Sequence, residues 1–322
     1  MDNFLIQAQL ISEIISHENI AEIKKSYKEI SLKYRNENIQ SQAVVSSDVQ
    51  ALSYLASRMG ETSVVVYSVL EKLNNLISLD NQVKSVLDLG SGTGSVLWAL
   101  KNFLFSADIV AVEKQESMIK YSKLLSKYLE YNINYINEDV LSSKVENLTL
   151  FDLVIESFML NEMSGNDRKQ TLDLMMSKTN KFIVLIEPGT PNSYTKMMED
   201  RDYLLSKGFC LVLPCPHGCK CGLVDDYCNF TVRVDRTKIS RYIKDSQLGY
   251  EDEKFFYLIF SKDVIENGCS TILRKPVFAK NRVELKLCNK DGSVCKTVVT
   301  KNNKQQYSQA KKLKHGDSFV IN

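Results

Sequence analysis

The chain has 322 residues, 44% of them hydrophobic and 25% charged, with a net charge of +2. That is the composition of a globular protein long enough for one large domain and a smaller one. No apolar run reaches the length of a membrane-spanning helix, and the start, MDNFLIQAQLISEIISHENIAE, lacks the basic and apolar segments of a secretory signal and the Arg-rich bias of a mitochondrial presequence. A cytoplasmic location without a membrane partner is therefore expected.

Residues 1–80 read as a helical region, with apolar positions at helical spacing in AVVSSDVQALSYLASRMGETSVVVYSVLEKLNNLIS. No chemistry is evident there, and a helical cap is expected. From residue 84 the texture changes. KSVLDLG, ADIVAVEK, NINYINEDV, FDLVIESF and KFIVLIEPG read as five short strands, mostly separated by helical lengths, which predicts βαβ units around a parallel sheet. Two more strands, GFCLVLPCP and KFFYLIFSK, carry this α/β domain to about residue 265, with a cysteine-rich insertion at about 214–254. Residues 266–322 read as a small β-rich appendix: NRVELKLCNKDGSVCKTVVTK predicts a hairpin turning at Asp291-Gly292, and GDSFVI a last strand.

Charge divides along the same line. Residues 270–322 carry a balance of +9, leaving −7 for the rest. A basic appendix on an acidic body points to a polyanionic partner, with a solvated tail as the plainer alternative.

The segment VLDLGSGTGSV places Gly90, Gly92 and Gly94 between a strand and a helix, where glycines let the backbone approach a ligand. Dinucleotide-binding folds share that layout. Three acids sharpen it: Asp88 on the first strand suits an ammonium group, Glu113 ending the second suits ribose hydroxyls, and Asp139-Val140 after the third suits an adenine edge. The set favours cationic S-adenosylmethionine over a pyrophosphate and resembles the class I methyltransferase family, with its Rossmann-like sheet. A dehydrogenase-like fold is the alternative. Glu156 opens the stretch Glu156-Ser157-Phe158-Met159, which stands where many amine methyltransferases carry an Asn-Pro-Pro-aromatic turn, and we count it with the cofactor-binding residues. No cysteine precedes Cys210, so no pyrimidine-methylating nucleophile is available there. Asn161 and Glu162 are candidates for the pocket, but no catalytic residue is assigned.

All eight cysteines lie between Cys210 and Cys295, which in a reducing compartment argues for metal or redox chemistry rather than a disulfide framework. Cys215, Cys219, Cys221 and Cys228 share a Pro-, Gly- and His-containing stretch, PCPHGCKCGLVDDYC, without the paired knuckles of a zinc ribbon. Beside it, TVRVDRTKISRYIK supplies Arg233, Arg236, Lys238, Arg241 and Lys244, and RKPVFAKNR supplies Arg274, Lys275, Lys280 and Arg282. These cations are candidate contacts for RNA phosphates, with Tyr242 and Phe278 available to stack.

LVLPCPHGCKCGLVDDYCNFTVRVDR, LGYEDEKFFYLIFSK and VELKLCNKDG, with YLASRMGETSVVVYSVLEKL, SFMLNEM and LIEPGTP upstream, resemble the methyltransferase-like family of small-ribosomal-subunit assembly factors of bacteria and mitochondria. The similarity runs from about residue 50 to the end. It implies a four-cysteine [4Fe–4S] site, carried over to Cys215, Cys221, Cys228 and Cys288. Thiolate-only ligation suits zinc as well. Cys219 departs from the family pattern, Cys210, Cys269 and Cys295 have no family role, and His217 is expected beside the thiolates as a turn former. The resemblance implies a protein that binds S-adenosylmethionine and acts on the small ribosomal subunit or its rRNA. Either it is an active methyltransferase, or it is an assembly factor that keeps the pocket without efficient catalysis. No feature selects an oligomeric state.

Overall fold

The computed structural model describes residues 2–35, 47–265 and 268–320. Contacts divide the chain into two compact units, Met1–Ile186 with Val232–Glu253, and Glu187–Thr231 with Lys254–Asn322. Both are discontinuous, so this division differs from cuts near residues 80 and 265.

The first unit opens with α1 (Asp2–Ser16), α2 (Ile20–Arg35), α3 (Asp48–Tyr54), a π-helical turn at Leu55–Met59, α4 (Gly60–Ile77) and α5 (Leu79–Gln82). Ser47 starts α3 by accepting the Gln50 N–H at 3.3 Å, satisfying one of the donors a helix start leaves unpaired. Then follow β1 (Ser85–Leu89), α6 (Ser95–Leu100), β2 (Asp108–Val112), α7 (Glu116–Ser126), β3 (Asn132–Ile136), α8 (Ser143–Glu146), β4 (Phe151–Ser157), α9 (Gly165–Lys178) and β5 (Thr179–Pro188). The strands lie in the order β3-β2-β1-β4-β5, and each adjacent pair is parallel. Val86 sits between Ile109 and Leu153, all three buried, as a strand covered on both faces requires. The order reverses at β1 and β4, so the loops leaving these two strands diverge and open a crevice at their carboxyl ends. The fold is α/β and Rossmann-like, as expected from the sequence.

The chain continues through α10 (Pro191–Ser206), β6 (Cys210–Leu213), β7 (Phe230–Asp235), α11 (Lys238–Ile243) and β8 (Tyr250–Ser261). β6 pairs antiparallel with β8, Leu211 opposite Phe260. The second unit ends with β9 (Ser270–Ile272), β10 (Val277–Ala279), β11 (Arg282–Cys288), β12 (Val294–Thr300), α12 (Lys304–Ala310) and β13 (Ser318–Phe319). These strands form a separate sheet, β10-β11-β9-β13, with β12 paired to β11. Val283, Leu285 and Leu287 alternate inward along β11 onto Ile272, Val299 and Phe319. The β11–β12 turn has Gly292 at φ +83°, a conformation glycine adopts without a Cβ clash. Among the described residues no helix is long and apolar enough to cross a membrane.

Candidate cofactor pocket and thiol cluster

The loop leaving β1 occupies the crevice. Gly90, Gly92 and Gly94 have φ of +71°, +54° and +92°, and the N–H groups of Gly90 and Ser91 both donate to the Val112 carbonyl at 2.9 Å. Glu113, just past β2, staples the loop: its carboxylate accepts the Gly92 N–H at 3.0 Å and the Gln115 N–H at 2.8 Å. A Cβ at Gly92 would meet only the Gly90 carbonyl oxygen, at 3.9 Å, so the space in front of Gly92 is open. At Gly90 it would instead strike Met159 Sδ at 2.6 Å.

Asp88 is buried, and neither carboxylate oxygen has a hydrogen-bond partner among the described residues. Burial, with the nearby charges of Glu113 and Glu156, holds its pKa well above the usual carboxylate range. An orphaned buried carboxylate is costly unless it takes up a proton or meets a cation. The hydroxyls of Ser91 and Thr93 in the same loop are also buried and unpartnered. Asp139 is exposed at the end of β3 and accepts the Leu141 N–H at 3.0 Å, while Val140 beside it is buried.

Glu156, at the end of β4, is buried and faces a different task. Its carboxylate accepts the N–H groups of Met159 (3.2 Å), Leu160 (3.4 Å) and Ile186 (3.0 Å). Burial pushes its pKa up, against the opposing Arg168 charge and these three N–H groups. The turn so held places Phe158 at φ +63°, a strained value for an aromatic residue. Asn161 and Glu162 follow on a 3₁₀ turn, with Glu162 exposed.

The cations of the 231–244 stretch, Arg233, Arg236, Lys238, Arg241 and Lys244, all lie in the first unit, and several are already engaged. Arg233 makes a two-pronged contact to Asp252 at 2.7 and 2.8 Å and lies over the Tyr250 ring. Arg236 pairs with Glu251 at 2.6 Å. Lys244 is buried between Glu61 and Glu251, and Arg58 on the π-helical turn bridges Glu61 (2.9 Å) and Glu253 (3.2 Å). Glu61, Glu251 and Glu253 bring their oxygens within 4.8 Å of one another, but the Arg58 and Lys244 charges already answer them. Burial raises the Glu61 pKa to about 7, while Lys244 and Arg236 lower that of Glu251 to about 2 despite its partial burial. Lys238 and Arg241 line an open cleft of about 410 Å³ with Tyr242. Lys24 from α2 lies 4.3 Å from the Tyr242 ring centre.

In the second unit, Cys215, Cys221, Cys228 and Cys288 interact electrostatically as one set. Burial, with neighbouring thiols, pushes Cys215 to about 11 and Cys288 to about 12, and holds Cys228 well above the ordinary thiol value. Four thiolates can coexist there only around positive charge. The Tyr194 hydroxyl lies 3.2 Å from Cys221 Sγ, and His217 Nε2 lies 3.3 Å from Cys288 Sγ. Arg201, almost wholly buried, donates to the carbonyls of His217 (3.2 Å) and Cys219 (2.6 Å), tying the loop to α10. The loop closes on the hairpin: a Cβ at Gly222 would overlap the Gly292 carbonyl oxygen. Cys219 is exposed.

Asp226 in the same loop binds two cations of the appendix, Arg274 at 2.5 Å and Lys286 at 2.8 Å. Lys275, Lys280 and Arg282 are exposed, Arg282 pairing with Glu284 at 3.0 Å.

A family model described as mitochondrial small ribosomal subunit Rsm22 matches residues 48–320. The chain belongs to the Rsm22 family. The human protein named ribosome assembly protein METTL17, mitochondrial, is 28% identical over 265 residues, 74% of this chain and 56% of its own length. The chain thus spans little more than half of that relative. Magnesium protoporphyrin IX methyltransferase (ChlM) of Synechocystis, solved with bound SAM, gives a TM-score of 0.40 at 15% identity over 71% of this chain and 90% of its own. A SAM-dependent methyltransferase of Agrobacterium tumefaciens gives 0.41 at 14% over 63% and 62%.

Several residues at these sites of the Rsm22-family chain lie outside the set expected from its sequence. The Ser91 and Thr93 hydroxyls were in plain view between the glycines. Met159 over Gly90, and Tyr194 and Arg201 beside the thiols, carry no local signal, because they reach their neighbours only through tertiary packing.

Proposed function

We propose that the protein binds S-adenosylmethionine in the crevice of its first unit and acts on the small ribosomal subunit or its rRNA during assembly. The observation that carries the first half is Asp88, a buried carboxylate with no partner at the carboxyl end of a switch-point strand. The residues fit the cofactor. Asp88 would hold the ammonium group, Glu113 the ribose hydroxyls, and Asp139 with Val140 the adenine edge, while Gly92 leaves the backbone approachable. When bound, the cofactor supplies an electrophilic methyl group. The chain's own part is to position it and to keep the β4 turn in place through Glu156. The ribosomal half rests on membership of a family described as a small-ribosomal-subunit protein.

The second reading, an assembly factor without efficient transfer, has its own support: no general base or nucleophile is assigned at the β4 turn, and Met159 already covers Gly90. A methyl-transfer assay on assembling small subunits, paired with cofactor titration, separates the two. Transfer supports the enzyme; binding without transfer supports the factor; absence of binding overturns both.

The thiol set fits a metal centre on Cys215, Cys221, Cys228 and Cys288. Thiolate-only ligation suits a [4Fe–4S] cluster and zinc alike, and the family resemblance, rather than the sulfur geometry, is what supports the cluster. The centre would clip the cysteine-rich loop to the hairpin. Cytoplasmic residence belongs to the same reading, although METTL17 is by name mitochondrial; a tagged copy found in an organelle would overturn it.

A further inference from the structure

One cleft of the second unit has a composition unlike the basic stretch around α11. The β10–β11 turn, with Asn281 at φ +63°, lies beside the end of β12: Arg282 pairs with Thr300, and the Lys301 N–H donates to the Asn281 carbonyl at 2.9 Å. Lys280, Arg282, Lys301 and Lys304 therefore converge, with Asn281 and Asn302, on an open cleft of about 560 Å³. No carboxylate lines it. Arg282 has Glu284 as a partner, but among the described residues Lys280, Lys301 and Lys304 have no carboxylate partner. Holding four cations around one concavity costs self-repulsion that a polyanion would relieve. Two residues before Lys280, Phe278 stands on the edge strand β10 with 56% of its surface exposed.

We infer that this cleft and the β10 edge form a platform for single-stranded RNA, with phosphates on Lys280, Lys301 and Lys304 and a base on Phe278. Cations tracking a backbone beside an exposed aromatic ring are the chemistry of single-strand recognition. A duplex keeps its bases stacked inside, so it could use the lysines but not Phe278. The contrast with α11 supports the choice. There Arg233 and Arg236 face Asp252 and Glu251, whereas three of the four cleft cations face no carboxylate. The inference rests on the proposed RNA partner and says where, and in what form, that RNA is held.

The test uses the full chain with a labelled oligouridylate of about ten nucleotides and an RNA duplex of about ten base pairs. Lys301→Gln with Lys304→Gln should flatten the log–log salt dependence of single-strand binding by about 1.4, about 0.7 for each lost phosphate contact. Phe278→Ala should weaken the single strand roughly tenfold and leave duplex binding within about twofold. In the unmodified protein, oligouridylate should protect Lys280, Lys301 and Lys304 from acetylation, a readout independent of how the variants fold. If the parent binds the oligonucleotide but the lysine variant keeps its affinity and slope, the cleft assignment is wrong and the RNA reading survives. If the parent binds neither these probes nor small-subunit rRNA, the RNA reading falls and takes the cleft with it. Protection by RNA-free ribosomal proteins alone would give the cleft to an acidic protein and overturn the inference.

Discussion

The acid-lined crevice of the first unit and the thiol-lined clip of the second both bury groups that ordinarily ionise, yet they are built in opposite ways. Asp88, Glu113 and Asp139 lie at the ends of consecutive parallel strands, so the βαβ repeat itself brings them to one edge. Cys288 reaches the loop cysteines across sixty residues, through the closure of a hairpin on a loop. The crevice is therefore expected to survive loss of its ligand, whereas the clip is expected to depend for its shape on the proposed metal centre.

The largest effect should come from breaking the clip. Cys228→Ser should abolish metal binding and lower the stability of the second unit by several kcal/mol, because the binding energy of a structural centre is also folding energy. Iron, sulfide and zinc analysis with thermal unfolding reads this out, and Cys269→Ser or Cys295→Ser should leave the metal content unchanged. One zinc and no sulfide in the parent would correct the centre and keep the ligand set.

Next is the contact that closes the clip. Gly222→Ala should destabilise by about 3 kcal/mol, since its Cβ would overlap a backbone carbonyl rather than a side chain that can move. Denaturant unfolding measures it; a loss under about 0.5 kcal/mol would mean that the loop does not seat on the hairpin.

In the crevice, Asp88→Asn should weaken S-adenosylmethionine binding at least about tenfold, by loss of a charge-assisted contact, while the ligand-free protein gains stability. The folded protein holds the Asp88 proton more tightly than the unfolded chain does. Its contribution is therefore greatest at low pH and is lost as pH rises from the ordinary carboxylate range toward the raised value, by up to about 1.4 kcal/mol per pH unit. Glu61 titrates in the same sense and Glu251 in the opposite one, so the quantity to measure is the difference in stability between parent and variant at pH 5 and pH 8. A difference that does not change with pH would mean that the Asp88 carboxylate is not orphaned.

The smallest effect is a contrast with Gly222. Gly165, in the first turn of α9, has open space around it, and Gly165→Ala should stabilise by about 0.4–1 kcal/mol in the same unfolding assay. Destabilisation there would show that the glycine conformation is needed.

Strands β1–β6, β8 and β11–β13 were legible in sequence as short apolar or alternating runs, whereas β9 and β10, three residues each, were not; the glycine loop with its acids was legible because its glycines adjoin the first strand and each acid marks the end of a strand. β7 and α11 were read only as a basic stretch, since the charges of TVRVDRTKISRYIK mask a strand and a Thr237-capped helix. Which cations are free was not legible either. Arg236 and Lys244 meet Glu251 and Glu61 only after α11 and α4 have packed, and Lys301 joins Lys280 only through β-pairing. Contacts made across long sequence separations likewise assign Val232–Glu253 to one unit and its flanks to the other.

S-adenosylmethionine is proposed to occupy the space in front of the glycine loop. Titration calorimetry of the cofactor into the parent and into Gly92→Arg tests it most directly. That side chain would fill the open space at Gly92, and the sheet beneath would remain folded. Binding by the parent and none by the variant is expected, with both proteins unfolding in a cooperative transition. Equal affinities, or no binding by a well-folded parent, would contradict it.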